Sequence, residues 1–179
     1  MKNSQKYTDV ASIPIVTVSY NAPDLISDLL KSIRDFYKNR IYVIDGSDEE
    51  KANAISSICK NHKNIEFIHF GYNIHHGPGM AWAWEHLGLN GPVLVLDSDV
   101  VLVKPGLLEA MLAELKPGMY GVGRINKVDT DGFNIDNQPD RIDAVPYLHP
   151  FCMLCNSEVV RQWPMPTKHG APNIAPMLV

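Results

Sequence analysis

From Pro92 to Val103 the chain reads Pro-Val-Leu-Val-Leu-Asp-Ser-Asp-Val-Val-Leu-Val, an apolar run interrupted by two carboxylates around a serine. A continuous Val/Leu run of this length is the pattern of a strand buried on both faces, in the middle of a sheet, because neither face offers polar side chains to water. The expected strand therefore covers the whole run. Burying carboxylates is unfavourable unless a cation or strong hydrogen-bond donors compensate them. Two readings of Asp97 and Asp99 stand side by side. Either they cap the strand and face water, or they hold a metal ion against phosphate oxygens, since hard divalent cations take oxygen ligands.

The rest of the chain supplies alternating elements. Ile13–Ser19 is β-branched and apolar and predicts a first buried strand, stopped by Tyr20-Asn21-Ala22-Pro23. Pro23 suits the first turn of a helix, whose expected apolar stripe is Leu25, Leu29, Leu30, Ile33 and Phe36 or Tyr37. Arg40–Asp45 predicts a second strand ending in a carboxylate. Ser47-Asp-Glu-Glu50 spells a capping box with Ser47 as N-cap, opening a helix through Ala52, Ile55, Ile58 and Cys59. Ile65–Phe70 alternates as a third strand. A Gly-rich loop, residues 71–79, then precedes a short helix over Met80–Leu87. After the central run, Pro105-Gly106 opens a helix carrying Leu107, Leu108, Met111, Leu112 and Leu115. Further strands are expected at Met119–Val122, Arg141–Tyr147 and Phe151–Leu154, with a polar surface loop at Asp129–Asp140 and a short helix to Gln162. Residues 1–12 read as a loosely held N-terminus and the end as a Pro-rich tail.

Strands alternating with helices argue for one three-layer α/β/α domain over 1–179 with a mostly parallel central sheet. In such sheets ligands bind beyond the carboxyl ends of the strands. Ser19-Tyr20-Asn21, Asp45-Gly46-Ser47 and Asp97-Ser98-Asp99 would all lie along that edge, which favours the functional reading of the aspartates.

Composition narrows the ligand. The 179 residues carry 16 basic and 20 acidic side chains, a net charge of −4 and a pI near 5.9, so no electrostatic case for nucleic-acid binding exists. No apolar run approaches the ~20 residues a transmembrane helix requires, and Met1–Val10 lacks a secretory apolar core, which points to a cytoplasmic, reducing setting. Cys152-Met-Leu-Cys155 sits within an apolar segment and reads as strand packing rather than a redox or metal motif. His69, His75 and His76 lack partner cysteines and the spacing of a zinc site. No G-x-G-x-x-G follows a strand, no G-x-x-x-x-G-K-[ST] occurs and no G-x-S-x-G is present, so a Rossmann dinucleotide site, a P-loop and a serine nucleophile elbow are set aside. What remains is an acidic edge and Gly77-Pro78-Gly79 running into a helix N-terminus, where unpaired N–H groups and the positive dipole end favour phosphates.

These motifs, in this order on these elements, resemble GT-A-fold glycosyltransferases of the broad family-two type, over roughly Ile13 to Leu115. The resemblance implies transfer of a sugar from a nucleoside diphosphate to the hydroxyl of a glycan or other acceptor, inverting the anomeric centre. It implies that Ser19, Tyr20 and Asn21 border the nucleoside and that Asp45 accepts a hydrogen bond from the base, with UDP favoured and GDP the alternative. It places His76, Gly77, Pro78 and Gly79 against the ribose and diphosphate. Asp97, with Ser98 beside it, would face the ribose or donor sugar, and Asp99 would ligate Mn2+ or Mg2+.

The pattern departs from the family in two places. Trp82 and Trp84 stand where basic or Asn residues are common, as core residues or as stacking platforms. No Glu-Asp base appears in the later third, leaving Asp143, Glu158 and His169 as titratable candidates, with Asp143 and His169 the catalytic candidates carried forward. Family members usually continue past this point, so the chain reads either as a minimal form or as a fragment with its acceptor part truncated. A sugar-phosphate nucleotidyltransferase and a non-catalytic nucleotide-sugar-binding domain remain the competing readings. The former usually carries a Gly-rich basic signature where this chain has Tyr20-Asn-Ala-Pro-Asp24.

Overall fold

The computed structural model describes residues 9–129, 131, 133–138 and 141–162. After a short 3-10 turn the chain runs β1 (Ile15–Ser19), α1 (Pro23–Phe36), β2 (Ile41–Asp45), α2 (Glu49–Lys60) and β3 (Ile65–His69). It continues with α3 (His76–His86), β4 (Pro92–Leu96), α4 (Leu107–Glu114), β5 (Gly121–Val128), β6 (Val145–Asn156) and α5 (Ser157–Val160). The six strands form one sheet in the order β3-β2-β1-β4-β6-β5. β1 to β4 are mutually parallel, while β6 runs antiparallel to both β4 and β5. The mostly parallel α/β/α expectation holds.

Two cores cover the two faces. One packs α1, α2 and α4 on the sheet through Ile26, Leu29, Leu30, Ile33, Ile55, Leu108 and Met111. The other packs α3 and α5 through Met80, Ala83, Trp84 and Val160. All five residues of β1, β2 and β4 are buried, as expected of parallel strands sandwiched between helical layers. Each fully buried Ile or Leu contributes about 1.5–3 kcal/mol of transfer free energy, so the four buried α1 apolar residues alone anchor that helix firmly.

Four expectations need correction. The central strand is not continuous to Val103: β4 stops at Leu96, and Val100 N–H donates to Asp97 C=O at 3.2 Å, closing a turn over Asp97-Ser98-Asp99. Beyond the turn the chain leaves the sheet, and Val101 and Val103 are 53% and 85% exposed. The unbroken hydrophobicity hid a turn because two carboxylates and a serine favour one. Second, α1 buries Ile26 rather than Leu25, which is 44% exposed and turned toward the cleft described below. Third, Asp48 rather than Ser47 is the N-cap of α2, since the Ser47 hydroxyl is engaged by Asp45. Fourth, Gly77-Pro78-Gly79 is the first turn of α3 rather than a loop; proline is tolerated there because its missing N–H would be unpaired anyway. The two short strands expected at Arg141–Tyr147 and Phe151–Leu154 are one long strand, Val145–Asn156, preceded by a turn.

Cys152 and Cys155 lie on opposite faces of β6, one against each core, as three-residue spacing in a strand requires. Both thiols are free and desolvation raises both pKa values, consistent with packing rather than redox chemistry.

Candidate active site

Parallel pairing sets Ser19 beside Asp45 and Asp45 beside His69 at one edge of the sheet. β4 ends at the same edge, where Asp97 N–H donates to Phe151 C=O on β6 at 2.8 Å. Beyond it opens a cleft of about 510 Å³. One wall comes from the end of β1, with Val18, Ser19 and Tyr20, and from Leu25 of α1. The opposite wall joins Asn73, His75 and His76, leading into α3, to Asp97, Ser98 and Asp99. None of these lining residues is Lys or Arg.

The two strand-end motifs near β1 and β2 are tied to each other. Asp45 has no exposed surface, and its carboxylate accepts from the Ser47 hydroxyl at 2.6 Å and from Ser47 N–H at 3.1 Å. Ser47 Oγ in turn accepts from Asn21 N–H at 2.7 Å. The Asn21 side chain donates to Asp48 Oδ2 at 3.0 Å and accepts from Asp48 N–H at 2.9 Å. Asn21 sits at φ 52°, a left-handed conformation that asparagine tolerates better than most residues. Asp45 and Asn21 therefore build the turn behind the cleft, whereas Ser19 and Tyr20 line it. The Ser19 residue is 1% exposed and its Oγ has no hydrogen-bond partner among the described residues.

Two glycines make this arrangement possible. A Cβ on Gly46 would lie 2.7 Å from Ile74 N and Tyr72 O, so the segment leading to His75 passes directly over the β2 turn. A Cβ on Gly79 would lie 2.9 Å from a Val18 methyl, so α3 approaches β1 more closely than any side chain permits. Gly77, Pro78 and Gly79 thus aim the α3 N-terminus rather than line the cleft. His75 precedes the helix at φ 61°, a conformation that costs a non-glycine residue energy and persists where surrounding contacts enforce it. His75 N–H donates to Asn73 Oδ1 at 2.9 Å.

Within that wall His76 Nε2 stands 3.1 Å from Asp97 Oδ1, within ion-pair distance but off the alignment of a hydrogen bond. Asp99 is exposed at the mouth. His69 is engaged elsewhere, its Nε2 2.8 Å from Ser47 C=O and 3.9 Å from Asp45. The three histidines that could suggest zinc thus go separate ways, and among the described residues no group of three or more His, Cys, Asp or Glu gathers to hold a metal. Trp84 is core, and Trp82 packs edge-on to Phe70 at 5.1 Å and stacks on His86 at 4.9 Å, away from the cleft.

Of the catalytic candidates, Asp143 lies on an exposed turn paired with Arg141, whose guanidinium lowers its pKa. His169 lies outside the described residues. Sequence reasoning missed Leu25 and Asn73 as lining residues. Burial chiefly, and the charge of Asp97 further, raise the pKa of the Tyr147 phenol on β6.

A parallel sheet with a nucleotide-sized polar cleft at its carboxyl edge and an acidic turn after the fourth strand defines the GT-A class of fold. Residues 15–172 match the family model described as Glycosyl transferase family 2, and this chain belongs to that family. Solved structures share the fold at low identity. The mannosyltransferase PcManGT from Pyrobaculum calidifontis, in complex with GDP-Man and Mn2+, aligns with a TM-score of 0.69 at 18% identity, covering 90% of this chain and 49% of that one. The galactosyltransferase LgtC, in complex with donor and acceptor sugar analogues, aligns with a TM-score of 0.55 at 20% identity, over 85% of this chain and 60% of that one. A 4-diphosphocytidyl-2C-methyl-D-erythritol synthase from Anaerococcus prevotii aligns with a TM-score of 0.56 at 11% identity, over 86% and 74%. This chain thus spans about half the length of the mannosyltransferase. No curated protein matches the sequence.

Proposed function

We propose that the chain transfers a sugar from a nucleoside diphosphate to an acceptor hydroxyl, with a divalent metal and inversion at the anomeric carbon. The observation that carries this reading is the Asp97-Ser98-Asp99 turn meeting the α3 N-terminus on the wall of a cleft of about 510 Å³ at the carboxyl edge of the sheet. The donor set fits a hard cation through the exposed carboxylate of Asp99, with Asp97 beside it on the same tight turn. Asp99 would hold such an ion from the protein side, leaving it open to phosphate oxygens. When bound, Mn2+ or Mg2+ supplies charge neutralisation for the departing nucleoside diphosphate.

The chain's own residues do the positioning. Ser19 and Tyr20 form the nucleoside side, with the unpartnered Ser19 hydroxyl available to a ribose or base. Asp99 is the metal ligand, and Asp97 with Ser98 faces the donor sugar. The N–H groups opening α3 at Gly77 lie on the diphosphate side. UDP is the first donor to test and GDP the second, the latter supported by the GDP-Man bound to the mannosyltransferase of similar fold.

Thermal shift tests the reading directly. Mn2+ with UDP or GDP raises the melting temperature of the wild type, and Asp99→Ala removes the rise. No rise with any nucleoside diphosphate overturns it. Because the erythritol cytidylyl synthase shares the fold, turnover is followed by product: sugar transfer supports the proposal, while pyrophosphate release from a triphosphate and a sugar phosphate identifies a nucleotidyltransferase.

A further inference from the structure

The cleft poses an electrostatic problem. It is to accept a diphosphate, yet its lining carries two carboxylates and no Lys or Arg. The groups on its walls able to carry positive charge are His75 and His76. His76 is the first residue of α3, and its imidazole is committed: Nε2 sits 3.1 Å from Asp97 Oδ1, with neither atom open to solvent. The separation is that of an ion pair without hydrogen-bond alignment, and an Nε2–H turned toward the carboxylate would make it attractive.

The backbone enforces it. The positive φ of His75 turns the chain into α3, Gly79 seats that helix on Val18, and Gly46 lets the preceding segment cross the β2 turn. From the other side Asp97 is held by its N–H to Phe151 C=O at 2.8 Å. The start of α3 and the turn after β4 thus meet through an imidazole–carboxylate contact in the wall of the cleft.

We propose that His76 is the positioning residue of the donor site: it holds the Asp97 carboxylate on the α3 side, away from Asp99, so that a metal-bound diphosphate can enter between them. This inference rests on the nucleotide-sugar reading. With His76 in place, Asp97 does not join Asp99 in gripping the ion, and the ion keeps positions for diphosphate oxygens. Without it, the freed carboxylate turns to the cation, and the site binds metal alone well and the metal–nucleotide complex poorly. A residue that merely supports the fold would weaken both.

The test measures the two affinities separately. Mn2+ alone is titrated by electron paramagnetic resonance, and Mn2+ with UDP or GDP by calorimetry, for wild type, His76→Ala and His76→Gln. Glutamine restores an N–H donor toward Asp97 without an imidazole. The expected result is that His76→Ala binds Mn2+ alone at least as tightly as wild type, binds the Mn2+–nucleotide complex about ten-fold more weakly, and is largely rescued by His76→Gln. Equal loss of both affinities, or unchanged nucleotide affinity in His76→Ala, overturns the positioning role. If the wild type itself binds no Mn2+–nucleotide complex, the failure belongs to the nucleotide-sugar reading instead. Should His76→Ala melt far below wild type, the comparison of His76→Gln with His76→Asn decides: both keep an amide, but the shorter asparagine does not reach Asp97 and shows the same split affinities as alanine.

Discussion

Removing one hydroxyl from Tyr37 should destabilise the protein by about 2 kcal/mol without touching the cleft. Tyr37 sits at the C-cap of α1, and its phenolic oxygen accepts from Gly106 N–H at 2.9 Å and Leu108 N–H at 3.3 Å while donating to Glu109 at 2.9 Å. It therefore caps α4 in place of a local side chain: Gly106, the N-cap residue, has none to offer. Burial raises the phenol's pKa, so it remains a neutral donor and acceptor. Tyr37→Phe leaves the ring and opens no cavity, but strands two N–H groups in a partly buried place. At about 1 kcal/mol for each lost partner, and little for the exposed Glu109, the loss is about 2 kcal/mol. For a chain of this length that lowers the melting temperature by roughly 4–8 °C. Urea unfolding followed by circular dichroism, with an unchanged m-value, reads it. A change below about 0.5 kcal/mol, the scale of an ordinary surface substitution, would refute the trans-capping argument.

Three further outcomes follow from the same geometry. Ser32→Ala removes the hydroxyl that accepts from the buried Leu102 N–H at 3.1 Å and should cost about 1–2 kcal/mol in the same unfolding assay. Gly79→Ala forces a methyl within 2.9 Å of a Val18 methyl on a stiff β-branched side chain, so a loss of about 1–3 kcal/mol is expected, partly recovered by adding Val18→Ala. Burial raises Cys59 from 9.0 to about 11, so the thiol's contribution is complete below pH 9.0 and is lost as pH rises through about 11. Unfolding free energy measured across that window should fall, and Cys59→Ala should flatten part of the fall; a slope unchanged in the variant would exclude Cys59 as its source.

The fold was legible where periodicity and burial agree. β1, β2 and β4 are buried along their full lengths, and an apolar β-branched run has no other comfortable place. The helix stripe of α1 was readable to within one residue, but Leu25 and Ile26 are adjacent and equally apolar, and only packing decides which turns inward. The turn after Leu96 was not legible, because Val100 to Val103 continue the apolar run after leaving the sheet; what holds them is tertiary, Ser32 on Leu102 and Tyr37 on Gly106. At the cleft, residue types that bind metals and phosphates mark themselves, and so Asp97, Asp99 and His76 stood out. Their pairings did not. That Asp45 is spent on Ser47, or that His76 rather than His75 meets Asp97, depends on a positive φ and two glycine contacts that no spacing reveals.

The reversal of β6 has a consequence for how such a protein can change. β1 to β4 deliver their carboxyl ends to the cleft, whereas β6, running the other way, delivers its amino end. The connection between β5 and β6 therefore leaves from that end of the sheet without interrupting the strands that carry Ser19, Tyr20 or the turn at residues 97–99. The chain can lengthen, shorten or rewrite residues 129–144 while the first half keeps its register, because the β4–β6 pairing begins only at Leu96 and Cys152. The strands carrying Ser19, Tyr20 and the turn at residues 97–99 and the β5–β6 connection are thus separate stretches of sequence, and a chimera exchanging that connection leaves the first undisturbed.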